Sequence, residues 1–412
     1  MKFKKVMSVI LVCGMCVGMV AGCGKNESGS ESKEILVWSS ATGADAESIK
    51  TVFDNYNKTD AEYKVKLVTM QADTFNKKLT TAGKSGKGVP DLAIIASESV
   101  PTYESQGMLV TWDDAIEGSD VNADSYVKSA WDVGTIDGHQ YGVPATMGSW
   151  VMYYNQDLVD KYIPGALDDG IVTYEEIEKA GEAAKADGVY STANTWGMQN
   201  YNNLYLQMGG SWTDADGKIS VNNETSKAVV EEFKKLNDNG WMVPQGEDGI
   251  KLFMNQKVIF LPEGTWSLTN MQKITDFEWG ETFTPQWDAD HVINCSGADQ
   301  FAIFKSAEER SDAKMQGMVD FMEWLQTNQL EWLRSGANAA ALAMQDNEEY
   351  KEMPQTFLVN SEGRDAIRIV AGEGLTYVLS EYDVRNWDMI NGNADIEQTM
   401  DEIQQIVDEK MK

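Results

Sequence analysis

Histidine and cysteine are scarce in this chain of 412 residues, which contains two histidines and four cysteines. Structural and catalytic zinc sites are built largely from these two residue types. The sequence also has no H-E-x-x-H motif and no pair of C-x-x-C motifs. These absences argue against a zinc enzyme, and we expect the protein to work without a cofactor.

Basic residues are also in short supply, because 34 lysines and arginines are set against 65 aspartates and glutamates. The formal net charge is −31 at pH 7. Nucleic acids and anionic lipid surfaces both favour proteins with basic patches. A chain this acidic should repel them, so we predict that nucleic acid is not a partner.

The apolar run near the N-terminus, residues 6–20, is too short to span a bilayer, which takes about 20 apolar residues. Three lysines precede the run, and the small residues Ala21 and Gly22 follow it, just before Cys23. This layout is typical of a secretory signal with a small-residue cleavage site. We therefore predict a signal peptide over residues 1–22.

Cys23 closes the sequence V-A-G-C, which resembles the bacterial lipoprotein box. In such a box the cysteine becomes the first residue of the mature chain and carries lipid. Two or more acyl chains hold a protein stably on a membrane. We expect Cys23 to be lipidated, and we interpret residues 23–34, which are rich in Ser, Gly, Glu and Lys, as a flexible tether.

Loss of the signal would remove Cys13 and Cys16, and lipidation would occupy Cys23. Cys295 is then the remaining thiol, so a disulfide within the mature chain is excluded. We expect Cys295 to be a small buried hydrophobe.

The first part of the mature chain alternates predicted strands and helices. Residues 34–39, 63–70 and 89–97 have the apolar pattern of strands, and amphipathic helices are predicted between them. This order predicts a doubly wound α/β fold. A mature chain of about 390 residues also exceeds the size at which single cores stop growing, which predicts two lobes. Ligands of such sheets bind at the carboxyl ends of the strands, near Ser39, Ser40 and Glu98.

Tryptophan and tyrosine are abundant, with 13 and 15 residues. Several tryptophans lie in polar, turn-like segments, such as "ANTWGMQNY", "PEGTWSLTN" and "TPQWDAD". A tryptophan in a polar loop offers a platform for a flat, partly apolar ligand.

Five segments in order make the chain similar to a known family. They are "ILVWSS" with "IKTVFDNYNK", "VPDLAIIASESVPTYESQGMLVTWDD", "YGVPATMGSWVMYYNQDLV", "LFMNQKVIFLPEGTWSLTN" and "FAIFKSAEERSDAKMQGMVDFMEWL". With these segments the chain resembles the extracytoplasmic solute-binding lipoproteins of ABC importers, specifically the large sugar-binding family that includes maltodextrin-binding proteins. The resemblance implies a monomeric, non-enzymatic protein that is lipid-anchored on the outer face of the bacterial membrane. It would bind a carbohydrate and deliver it to membrane permease subunits.

The resemblance also implies a two-lobed α/β fold with a ligand cleft between the lobes and hinge crossovers. Lobe 1 would comprise residues 35–143 and 292–340. Lobe 2 would comprise residues 144–291 and 341–412.

The resemblance further implies a set of ligand-binding residues. Trp266 corresponds to an aromatic residue that stacks on a sugar ring, and Glu263 in the same loop would accept sugar hydroxyls. Glu98 matches the acidic position after the third strand, and Ser39 and Ser40 match the loop after the first. Further cleft residues would be Trp150, Trp196, Gln199, Ser296, Gly297 and Asp299. An acidic residue of some maltodextrin binders is Thr146 or Met147 here, which argues against maltodextrin as the specific ligand.

Two other classes of function stay open at this point. A polyamine or a peptide could be the ligand, because carboxylates attract cations and tryptophan adds cation–π attraction. A secreted glycoside-active enzyme is the other alternative, since paired carboxylates serve glycoside hydrolysis. No G-x-S-x-G nucleophile motif is present.

Overall fold

The computed structural model describes residues 32–214, 216 and 218–411. The predicted signal peptide, Cys23 and nearly all of the predicted tether lie outside these residues. Among the helices of the described ranges, none has the length and apolar character needed to cross a membrane.

The described residues form eleven β-strands, which include the three strands predicted at the start of the chain. They are β1 (Glu34–Ser39), β2 (Lys64–Thr69), β3 (Leu92–Ala96), β4 (Leu109–Val110), β5 (Thr135–Ile136), β6 (His139–Gln140), β7 (Gly142–Asn155), β8 (Phe260–Gly264), β9 (Trp279–Thr282), β10 (Asn294–Phe304) and β11 (Ile367–Ile369).

Eighteen α-helices lie in the same ranges. They are α1 (Gly43–Tyr56), α2 (Ala72–Ser85), α3 (Val100–Ser105), α4 (Asp113–Ile116), α5 (Lys128–Asp132), α6 (Gln156–Tyr162), α7 (Tyr174–Ala184), α8 (Gly197–Gln207), α9 (Glu224–Asp238), α10 (Gly249–Met254), α11 (Leu268–Met271), α12 (Asp312–Asn328), α13 (Leu330–Leu333), α14 (Leu342–Gln345), α15 (Glu348–Lys351), α16 (Ser361–Ala366), α17 (Leu375–Ile390) and α18 (Ile396–Lys410). Single 3₁₀ turns at Ser97–Ser99 and Thr265–Ser267 follow β3 and β8.

The main sheet has the strand order β2-β1-β3-β10-β7-β8. Strand β1 runs parallel to both β2 and β3, whereas β10 is antiparallel to β3 and β7. Helix α1 connects β1 to β2, and helix α2 connects β2 to β3. The apolar faces of both helices, which include Val52, Phe53 and Leu79, are buried. The predicted strand–helix–strand alternation is confirmed.

Strands β7 and β10 connect different parts of the sheet. Residues 142–149 of β7 pair with β10, and residues 150–155 pair with β8 and β9. Residues 294–296 of β10 pair with β11, and residues 299–302 pair with β3. The predicted lobe boundary at 143/144 falls inside β7, and the one at 291/292 lies just before β10. The lobe boundaries themselves stay predictions.

The hydrophobic core contains two large clusters. One is built around β1, α1 and α12 and includes Phe53 and Phe321. The other is built around α8, α9, α17 and α18 and includes Tyr201, Phe233 and Tyr382. Cys295 is buried as predicted, and burial raises the pKa of its thiol to about 12, which keeps the thiol unreactive.

Candidate ligand-binding site

A cavity of about 720 Å³ lies at the carboxyl ends of β1 and β3, beside β7 and β10. Its volume is in the usual range for small-molecule sites. Ten of the eleven residues predicted to bind ligand line it. They are Ser39, Ser40, Glu98, Trp150, Trp196, Gln199, Trp266, Ser296, Gly297 and Asp299. The remaining one, Glu263, does not reach the cavity wall.

Three carboxyl groups line this cavity. Asp45 lies in the first turn of α1, Glu98 in the 3₁₀ turn after β3, and Asp299 in β10. Asp45 Oδ1 accepts a hydrogen bond from Ser335 Oγ at 3.2 Å, and Asp299 Oδ2 accepts one from Thr146 Oγ1 at 3.4 Å. Across the described residues, none of the three forms an ion pair with a lysine or arginine. Their remaining lone pairs are available to a ligand.

The three carboxyl groups influence each other's charge. Burial, followed by the charges of Asp45 and Glu98, raises the pKa of Asp299 to about 7. Burial also raises the pKa values of Asp45 and Glu98. Near neutral pH Asp299 therefore exchanges between a protonated form, which can donate a hydrogen bond, and an ionised form, which only accepts.

Three tryptophan rings form another part of the wall. Trp150 lies in β7, Trp196 precedes α8, and Trp266 lies in the 3₁₀ turn after β8. The ring centroids are 4.6 Å apart for Trp150 and Trp266, 5.7 Å for Trp196 and Trp266, and 5.4 Å for Trp150 and Trp196. The rings therefore pack against one another, and Trp196 and Trp266 each keep more than a third of their surface exposed, 36% and 37%.

The three rings meet tilted or edge to face, with interplanar angles of 54°, 87° and 86°. The exposed parts of Trp196 and Trp266 are available for stacking against an apolar face of a ligand.

Glycines allow the Trp266 ring to sit close to the backbone. A Cβ atom at Gly264 would lie 2.1 Å from Cζ2 of Trp266, and one at Gly148 would lie 3.7 Å from Cζ3. The indole therefore covers the end of β8, and a side chain at Gly264 would displace it.

Glu263 occupies a different place from the one predicted. Its side chain is 1% exposed, and Oε1 accepts hydrogen bonds from the indole Nε1 of Trp196 and from the backbone N of Gly264, the latter at 2.9 Å. Burial raises the pKa of Glu263 to about 7. The expectation that Glu263 accepts sugar hydroxyls is wrong for this geometry, because the carboxyl lies behind the tryptophan wall.

Several lining residues were not predicted from the sequence. Asp45 lies in the first turn of α1, the helix that follows the carboxyl end of β1, so the strand-end rule could have identified it. Asn202 lies one helical turn after Gln199 and could have been found by helical spacing. No comparable sequence signal marks the others, which include Thr269, Asn270, Lys273 and Trp332.

The comparison with known proteins agrees with this fold and cavity. Residues 51–357 match the profile of a family described as bacterial extracellular solute-binding protein. The chain belongs to this family. One relative of this solute-binding protein is the arabinooligosaccharide-binding protein of Bacillus subtilis strain 168, which is 25% identical over 247 residues. That match covers 58% of the chain and 56% of the relative, so it spans little more than half of the relative's length.

Solved structures show the fold of this solute-binding protein to be two-lobed α/β. The maltose-bound MalE3 of T. maritima superposes with a TM-score of 0.76 at 17% identity, covering 91% of this chain and 99% of that one. UgpB of Mycobacterium tuberculosis, in complex with glycerophosphocholine, gives a TM-score of 0.75 at 17% identity, covering 91% and 97%. At such identities the likeness shows the fold alone.

Proposed function

We propose that the protein binds a neutral mono- or oligosaccharide outside the cell and delivers it to the permease subunits of an ABC importer. It would act as a monomer, without a cofactor and without catalysis. The observation that carries this proposal is the combination of a packed tryptophan wall with unpaired carboxyl groups in one cavity. A sugar has both kinds of surface, since its ring faces are apolar and its edges carry hydroxyls. The printed names of the arabinooligosaccharide-binding relative and of maltose-bound MalE3 support the same ligand class.

The magnitudes favour a shared contribution from both parts of the wall. A tryptophan side chain offers about 150–250 Å². If about a third of it is covered by a sugar face, the gain is roughly 1–2 kcal/mol for each ring. The two exposed rings therefore supply less than half of the roughly 8 kcal/mol of a micromolar complex. Hydrogen bonds from carboxyl groups and from amides such as Gln199 and Asn202 would supply the rest.

A cationic ligand such as a polyamine is the second candidate. It is favoured by the three carboxyl groups without ion-pair partners among the described residues. Tryptophan rings attract ammonium groups as well as sugar faces, so the titration with polyamines described below decides between the two candidates. The same carboxyl groups would also serve a glycoside-active enzyme, and the product analysis described below tests that alternative. No observation on the described residues favours a peptide.

Ligand titration tests the proposal directly. The chain from Lys33 onward, which forms one compact unit, is titrated with mono- and oligosaccharides, polyamines and peptides. Tryptophan fluorescence and thermal unfolding are recorded for each ligand. We expect a neutral sugar to saturate the signal and to raise the unfolding free energy by about 2.7 kcal/mol at 100 times its Kd. Chromatography of the incubated sugar serves as the control, and appearance of a cleaved product would indicate an enzyme.

The membrane anchor belongs to the same proposal. We expect Cys23→Ala to release the protein into the medium or to block its processing, because the thiol that would carry lipid is absent. The measurement is membrane fractionation of cells expressing each form, with metabolic labelling by a radioactive fatty acid. Cys295→Ala is the matched control and should stay labelled. A Cys23→Ala protein that is cleaved and still membrane-bound would contradict the anchor.

A further inference from the structure

A buried carboxyl group joins the two exposed tryptophans of the cavity wall. Trp196 precedes α8 and is 36% exposed, so the surrounding protein covers only part of its ring. Its indole Nε1 donates a hydrogen bond to Oε1 of Glu263, which is the penultimate residue of β8. Trp266 follows β8 three residues after Glu263. The same short segment therefore holds one tryptophan covalently and the other by a hydrogen bond.

The sheet fixes the position of Glu263. Its backbone pairs with Val151 of β7, and Gly264 pairs with Trp150. The backbone N of Gly264 donates to Oε1 at 2.9 Å, so two donors converge on one oxygen. The side chain is almost fully buried and is absent from the cavity wall, which excludes a direct contact with ligand in this geometry.

We propose that Glu263 is a positioning residue, which holds the indole of Trp196 against the ring of Trp266 so that the two present one continuous surface to the ligand. This inference rests on the proposed binding function of the cavity. Without the carboxyl acceptor the indole N–H would have to turn toward water to find a partner. The Trp196 ring would then be mobile in the free protein, and the free-energy cost of ordering it on binding would lower the affinity for the ligand.

The charge on Glu263 provides a way to observe this contact. The titratable groups that face it are Asp248, which precedes α10, and the hydroxyl of Tyr153 in β7. Burial and the charge of Asp248 raise the pKa of Glu263, while hydrogen bonds from Gly264 N, the Trp196 indole and the Ser267 side chain lower it, and the result is about 7. An ionised carboxylate accepts a stronger hydrogen bond than a protonated one. The indole N–H of Trp196 should therefore report the ionisation of Glu263.

The test is NMR of ligand-free protein carrying ¹⁵N-labelled tryptophan, with the Trp196 indole signal assigned from a Trp196→Phe variant. In the wild type we expect that signal to shift between pH 5.5 and 8.5, with a midpoint about 7 as burial of the carboxyl requires. In Glu263→Gln the signal should persist without this titration. In Glu263→Ala the N–H should exchange with water at least tenfold faster, and ligand affinity should fall about tenfold.

Glu281→Gln is the matched control, because Glu281 is a similarly buried carboxyl in β9, which pairs with β7 as β8 does, and it has no indole partner among the described residues. It should leave the titration of Trp196 intact. A Trp196 signal that titrates equally in the wild type and in Glu263→Gln would overturn the proposal. If Glu263→Ala does not fold, the glutamine variant alone decides. The NMR result does not depend on any ligand. A wild-type protein that binds no sugar would contradict the proposed function, whereas the contact between Glu263 and Trp196 would still be tested by the N–H signal.

Discussion

Replacing Trp266 with alanine should lower the affinity for the bound sugar by about fivefold to thirtyfold, while the fold is retained. Stacking on this ring contributes roughly 1–2 kcal/mol, and each 1.4 kcal/mol corresponds to a factor of ten. Removal of the ring also takes away the surface against which Trp150 and Trp196 pack. The loss should therefore reach the upper part of this range when those two rings become mobile.

The stability of the Trp266→Ala variant should change little. The ring is 37% exposed, so its burial in the free protein is incomplete. We expect the unfolding free energy to stay within about 1–2 kcal/mol of the wild type. Isothermal titration calorimetry gives the affinity, and urea unfolding gives the stability.

Trp287→Ala is the matched control for this experiment. Trp287 is 46% exposed and lies outside the cavity wall, where its ring contacts Tyr174. Its removal deletes the same side chain from the surface and should leave the affinity unchanged. Equal affinities for the wild type and Trp266→Ala would show that this ring is not the stacking platform.

The fold was predictable because the determining signals are local. Strands β1 and β3 carry apolar runs, and the helices between them carry one apolar face, so the alternation can be read without any tertiary information. Parallel strands place their carboxyl ends together, which is why Ser39, Ser40 and Glu98 were assigned to a cleft that the structure does contain.

The role of Glu263 was not predictable in the same way. In a half-exposed strand, alternation tells which side chains face the core, but every residue of β8 is buried. The sequence "PEGTW" therefore does not reveal that the glutamate lies behind the wall while Trp266 lies in it. The direction of the Glu263 side chain depends on the pairing of β8 with β7 and on the hydrogen bond from Trp196, which lies 67 residues earlier in the chain. Neither contact can be predicted from the sequence pattern around Glu263.

A second buried glutamate, Glu281, shows how burial destabilises an ionised carboxyl group. Glu281 lies in β9, where it pairs with Tyr153 of β7. Both of its carboxyl oxygens are buried and accept no hydrogen bond of ordinary geometry from the described residues. Burial raises its pKa from 4.5 to about 7, and the nearby Tyr153 hydroxyl offsets only part of this effect. The folded protein therefore binds this proton more tightly than the unfolded chain does.

Glu281→Gln should remove a pH-dependent penalty on folding. The stabilisation by the proton of Glu281 is fully present below about pH 4.5 and is lost as the pH rises through about 7. A difference of about 2.5 pKa units corresponds to roughly 3 kcal/mol. Relative to the wild type, the glutamine variant should thus gain about 2–3 kcal/mol in unfolding free energy between pH 5 and pH 8.

Urea unfolding of both proteins at pH 5, 6, 7 and 8 measures this gain. The other described carboxyl groups whose pKa is raised to about 7, Glu232, Glu263 and Asp299, are present in both proteins, so their titration cancels in the difference. Glu278→Gln, at an exposed position just before β9, is the control for removing a carboxylate from this part of the chain. If the Glu281→Gln difference depends on pH no more than that of the control, the carboxyl is solvated in the folded state and the side chain is not buried as described. If the difference rises as expected, the strand that flanks the tryptophan wall carries a destabilising charge at neutral pH. Glu263 has a similar pKa, but its Oε1 accepts hydrogen bonds from the Trp196 indole and from the backbone N of Gly264. The charge of Glu263 is therefore partly stabilised by these two donors, and it in turn orients the indole.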